Sequence, residues 1–221
     1  VTSLIGQEAI HSKMHEEMND AYLECDLPVK LFRFLAHYVF EYGFNRFPQP
    51  MKLSLMAGIE HFTAVLAEYM MHHEEIFFRS QDEKQRAIWM WHMLEESEHK
   101  DIAYDVFQEL SNNYALRMAV FFPALITILI LISAASLIVP FYRKPSNLVS
   151  WSYWKDVPRS ISLIFGLKDG VYGSTLGHIF DYMRKDFHPN DHDTSAFLAY
   201  YKETLLNPIN GVLTPYFVKE F

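Results

Sequence analysis

Two short stretches, Glu8-Ala9-Ile10-His11 and Glu96-Ser97-Glu98-His99, decide how this chain is read. Each sets a carboxylate and an imidazole three residues apart. On an α-helix such a pair is offset by about 60° and by roughly 4.5 Å of rise, so both groups can grip one ion. Two helices so equipped, with single glutamates from two further helices, form the ligand set of a two-metal carboxylate site. Glu60 is the best-placed single glutamate. Its stripe carries Leu53, Ala57, Ala64, Ala67 and Met71, and the alanines are expected to leave room for metals and a small ligand.

The surrounding periodicity supports helices at all three places. Leu4, Glu8, His11, His15, Met18 and Tyr22 form one stripe over residues 2 to 22. Ile88, His92, Glu96, His99, Ala103 and Val106 form another, so the second pair sits among apolar neighbours and faces inward. Charges on an inward stripe are costly unless paired or metal-bound. The metal ligands expected from the residues are therefore Glu8, His11, Glu60, Glu96 and His99. His15, His61 and His92 are candidates for proton relay or for an additional ligand. Glu95 is expected to pair with His99 one turn on, Glu98 to meet solvent or the neighbours of Lys100, and Glu68 to be a solvated residue or a partner of the ligands.

The expected fold is all-α: a ferritin-like helical bundle over residues 1–112, followed over 113–221 by an apolar helix and a C-terminal helical extension. A long connection at Leu23–Pro50 would carry its own helix, Val29–Tyr42. Helices are expected at Met51–Arg79, from a Ser80-Glu83 capping box to Leu110, at Ser174–Lys185 and at Thr194–Leu206. The chain enters a helical pattern directly from Val1, and the remaining single glutamate of the four-helix ligand pattern is expected upstream of it.

Met118 to Tyr142 is 25 residues without a charge, flanked by Arg117 and by Arg143 with Lys144. Pro123 and Pro140 should bracket its helix, leaving about 25 Å against a hydrocarbon core of about 30 Å. Three readings stand: a buried or subunit-interface helix, a membrane span, or a helix lying in the membrane interface. Trp151, Tyr153 and Trp154 would suit an interfacial belt or a packed core. His72-His73-Glu74-Glu75 looks like a metal cluster in text, but consecutive helical residues diverge, and a solvated helix end is expected. The segment Phe187 to Asp193 reads as a polar turn with Asp193 capping the next helix.

A net charge of -8 argues against a nucleic-acid partner. Cys25 is the only cysteine, so no intrachain disulfide framework exists, and a cytoplasmic protein, also at the inner face of a membrane, is expected. There is no Walker loop, dinucleotide fingerprint, nucleophile elbow or zincin motif.

Taken together, Gln7-Glu8-x-x-His11, Glu60-His61-Phe62-Thr63-Ala64, Trp89-x-Trp91-His92-x-x-Glu95-Glu96-x-Glu98-His99-Lys100 and Phe187-His188-Pro189 resemble the bacterial "predicted metal-dependent hydrolase" family. The resemblance implies a metal enzyme more firmly than it implies hydrolysis. Three functions follow: an O2-activating oxidase or oxygenase holding two divalent ions, iron or manganese, and acting on a small apolar substrate; a hydrolase activating water; or a non-enzymatic metal-binding or membrane-associated scaffold. The residues favour the first.

Overall fold

Helix follows helix along the chain, and no strand occurs among the described residues of the computed structural model, which are 2–24, 27–74, 83–168, 170–207, 209–212 and 214. The protein is all-α. The first helix, α1, spans Thr2–Glu24, and α2 spans Val29–Tyr38, opening after Pro28 and passing into a π turn at Val39–Gly43. Next come α3 at Gln49–His72, α4 at Glu83–His99 and α5 at Ile102–Leu110. The long helix α6 covers Tyr114–Arg143, α7 Trp151–Phe165, α8 Val171–Asp181 and α9 Ser195–Leu206.

Local chemistry explains the boundaries. Asn112 takes a left-handed conformation (φ 42°) just beyond α5, where its amide and that of Ser111 reach back to the Phe107 carbonyl. Asn113 then caps α6, its side chain accepting from the Leu116 amide at 3.0 Å. The helix expected to continue to Leu110 is instead broken directly after His99, at Lys100-Asp101. The helix expected to lie between Pro123 and Pro140 contains both prolines. Each proline removes one backbone bond, but the apolar stretches on both sides carry the helix through. The expected capping box at Ser80, the interhelix break there and Cys25 lie outside the described residues.

By packing, the chain forms two compact units, each assembled from two stretches. The first comprises residues 1–55 and 113–174, the second 56–112 and 175–221. In the first unit, α6 and α7 form a hairpin, with Phe141 against Tyr153 and Trp154 at 5.2 and 5.9 Å between ring centroids. Three glycines close the turn from α7 into α8. A Cβ on Gly173 would lie 2.0 Å from the Gly166 carbonyl oxygen, and one on Gly170 would lie 2.3 Å from the Gly166 nitrogen.

The second unit has its core where α3, α4 and α9 meet: Ala67, Met71, Ala87, Met90, Met93, Leu94, Tyr201 and Leu205. Ala67 is thus consumed by close packing and leaves no open space. Tyr201 ties α9 to the end of α3, its single hydroxyl proton shared between the Met71 carbonyl at 2.7 Å and Glu74. A second, aromatic focus joins α5 to the segment after α8. Tyr104 packs against Tyr182 and Phe187, and its hydroxyl donates to the Phe187 carbonyl.

Candidate functional site

The last three turns of α4 concentrate the polar chemistry of the second unit. Four-residue spacing pairs His92 with Glu96 (Nε2 to Oε1, 3.8 Å) and Glu95 with His99 (Oε1 to Nδ1, 3.5 Å). His92, Glu95 and Glu96 offer one donor atom each, all within 4.8 Å of one another. Glu95 is 2% exposed and its partner His99 3%, while His92 and Glu96 are half-buried. Two neighbouring carboxylates withdrawn from water repel each other and lose hydration, and a cation among them relieves both costs. Oxygen and imidazole donors of this mix suit a divalent first-row metal. Glu95 was expected only as His99's partner. Its membership of the donor group was signalled by His92-x-x-Glu95, the same three-residue spacing in reverse order.

In the first unit, α1 presents His11 and His15 one turn apart. Their rings stack with centroids 4.7 Å apart, and the two Nε2 atoms lie 2.9 Å from each other. One ring must donate and the other accept, which requires at least one neutral imidazole. Glu8 precedes them on the same helix.

On α3, Glu60 is half-buried, and its carbonyl accepts from the Thr63 hydroxyl at 3.2 Å. The adjacent His61 is buried against Tyr182 (5.1 Å, stacked) and Phe187 (5.0 Å, edge-on). Its Nε2–H donates to the His178 carbonyl at 2.9 Å. Burial is the main reason its pKa falls to about 4, so the ring is neutral at pH 7.

His61 also lines a cleft of about 130 Å³ in the second unit, shared with Glu68, Lys100, His178, Arg184 and His192. The 187–193 segment is the expected turn: Pro189–Asp191 forms a short 3-10 helix with a capping box between His188 and Asp191. Its histidines nevertheless reach other elements. His188 Nε2 lies 2.9 Å from Asp105 Oδ1, and His192 Nε2 lies 2.9 Å from Glu68 Oε1. Glu68 is therefore half-buried and engaged. Lys100 fixes the same turn by donating to the His192 carbonyl at 2.7 Å and to the Thr194 hydroxyl at 3.0 Å, and burial lowers its pKa. The residue at the N-cap of α9 is Thr194, while the capping oxygen comes from Asp193, which accepts from the Ser195 amide at 2.9 Å.

Two further expectations need amending. Of the run at the end of α3, only His72 is exposed. It stacks on Phe197 at 4.1 Å, His73 Nδ1–H donates to the Tyr69 carbonyl at 2.8 Å, and Glu74 receives Tyr201. Glu75 lies outside the described residues. Glu98, expected to meet solvent or the neighbours of Lys100, forms an ion pair with Lys202 of α9, which lines the same cleft as Lys100.

The sequence profile of the predicted metal-dependent hydrolases matches residues 1–193 of this chain. The chain belongs to that family. No curated protein and no solved structure matches it.

Proposed function

We propose that this chain is a two-metal carboxylate enzyme in which Glu8, His11, Glu60, Glu96 and His99 supply protein ligands to two divalent ions, iron or manganese. The observation that carries the reading is the donor group of α4, where carboxylates and imidazoles gather within 4.8 Å of one another around the buried Glu95, a setting that a cation would stabilise. The doubled three-residue spacing supports a second, matching contribution from α1. When bound, such ions supply Lewis acidity and, in the case of iron, electrons for the reduction of dioxygen.

The chain's own residues then have distinct roles. Glu95 orients His99 through their 3.5 Å contact, as a carboxylate behind a ligating imidazole does, while remaining near enough to contribute an oxygen itself. His92 stands beside Glu96 and His15 beside His11, each close enough to take up or return a proton next to a ligand. His61, held neutral and hydrogen-bonded, positions the cleft wall beside Glu60. The reaction proposed first is oxidation of a small apolar substrate by dioxygen. The second, hydrolysis through an activated water, is favoured by the family's description and uses the same residues.

Metal analysis and a spectrum recorded with and without dioxygen test the proposal. Two equivalents of metal per chain are expected, falling by at least half in His99→Ala, with Glu96→Ala behaving alike. A dioxygen-dependent absorption change assigns oxidation. Its absence, with turnover of an activated ester or phosphoester that stops on chelation, assigns hydrolysis. A folded wild-type protein that retains no metal after loading and desalting would sink both readings.

A further inference from the structure

The α6–α7 hairpin of the first unit is an apolar excursion, and its chemistry identifies what covers it. An 18-residue window of α6 reaches a mean hydropathy of 2.6, yet only 6% of that window is buried. Ile126, Ile130, Leu131 and Ile138 are 42 to 61% exposed. Helix α7 adds a second apolar stripe. Trp151, Trp154, Ile161 and Phe165 fall within one-third of its circumference and are all exposed, and Lys155 and Arg159, also exposed, flank this stripe on the Trp151 side. The seam between the helices is a mixed cleft of about 340 Å³, in which Ser133, Ser136, Asp156 and Ser160 lie among Pro140, Val157 and Ile164. The hairpin thus turns a large apolar surface outward, unlike a water-facing pair.

Charge disfavours the like-charged hairpin of a second copy as the occupant and suits an anionic lipid surface. Residues 113–168 hold six of the chain's 19 basic residues but only one of its 27 acidic ones. The rest of this acidic chain is strongly negative, and a basic, tryptophan-bearing amphipathic helix beside an apolar one is matched to an anionic lipid headgroup layer over acyl chains. Trp154 Nε1–H donates to the Leu148 carbonyl at 2.9 Å, anchoring the indole at the basic end of α6, beside Arg143 and Lys144.

Topology then decides how the hairpin meets the bilayer. The 25 uncharged residues from Met118 to Tyr142 would reach about 37 Å as a helix, enough to span. But the chain before α6 and the chain after α7 belong to one compact unit: Tyr201 of α9 bonds to Met71 of α3, and Tyr104 of α5 bonds to Phe187. Both ends must lie on the same side. Helix α7 cannot provide the return span, because it has 15 residues with Lys155, Asp156 and Arg159 mid-length.

We infer that residues 118–165 attach this protein to one leaflet of an anionic bilayer, α6 embedded by its exposed face and α7 lying in the headgroup layer, without crossing. The test is flotation of the purified full chain with vesicles of phosphatidylcholine alone or with one-quarter phosphatidylglycerol. Co-flotation with the anionic vesicles is expected, weakened at least tenfold by Lys155→Glu with Arg159→Glu, which alter only exposed side chains. A detergent-free protein that does not float, including one that runs as a stable dimer, overturns the inference. So does an unchanged affinity in the double variant. Single cysteines at Glu109→Cys and Tyr200→Cys in a Cys25→Ser background should react with an impermeant thiol reagent from the same side of sealed cell membranes. Labelling from opposite sides would establish a span and overturn the one-leaflet topology.

Discussion

Helical side-chain pairs were the most readable part of this chain, because both partners lie on one element and rotation alone brings them together. Glu95 with His99, His92 with Glu96, and His11 with His15 are all four-residue pairs of this kind. Pairs across 83 to 130 residues were not readable. Nothing local announces that His192 will meet Glu68 or that Tyr201 will donate to the Met71 carbonyl. Tyr201 offers a clean test of such a contact, since it is 6% exposed and its hydroxyl serves both Met71 and Glu74. Replacing it by phenylalanine keeps the ring in the α3–α4–α9 core but removes the one hydroxyl proton that the buried Met71 carbonyl and Glu74 share. Tyr201→Phe should cost about 1–3 kcal/mol in urea unfolding. A loss below a few tenths would mean that water reaches both acceptors.

Among the elements, most helix positions were legible from periodicity, α7 at Trp151–Phe165 excepted because Pro158 and its mixed composition hide it, and their limits were less so. Proline illustrates why: Pro123 and Pro140 carry a local cost of about 3 kcal/mol each in an ordinary helix interior, yet α6 passes through both. A local penalty says nothing about the apolar stretch that opposes it. The α7–α8 turn shows the converse, a local requirement whose reason is steric and invisible in the text. Gly166, Gly170 and Gly173 are spaced as though on a helix, but they serve a close backbone approach. Gly173→Ala should destabilise this turn by about 1–3 kcal/mol, because backbone atoms, unlike side-chain tips, cannot swing away from a Cβ placed 2.0 Å from a carbonyl oxygen. Equal melting temperatures for Gly173→Ala and wild type would show that the turn rearranges freely. Gly177→Ala serves as the control, since nothing lies within 4 Å of its Cβ position.

For the molecule as a whole, what the sequence could not convey is the interleaving of its two units. Hydrophobic pattern reports which face of a helix is buried, not which distant helix buries it. The second unit joins α3, α4 and α5 to α9 across the whole apolar hairpin, through the core around Met90 and Leu205 and through the Lys202–Glu98 ion pair. This arrangement has a kinetic signature. If α9 completes the same core as α4, the two should open together despite their separation in sequence, because removing Leu205 and Tyr201 exposes Met71, Met90 and Leu94 at once. In native-state hydrogen exchange, the amides of residues 86–99 and 198–206 should therefore share one opening free energy and one denaturant dependence. Tyr201→Phe should lower both by the same amount. Residues 198–206 exchanging at unprotected rates while 86–99 remain protected would show α9 to be a loosely docked tail, and the topological ground for placing both ends of the hairpin on one side of a membrane would fall with it.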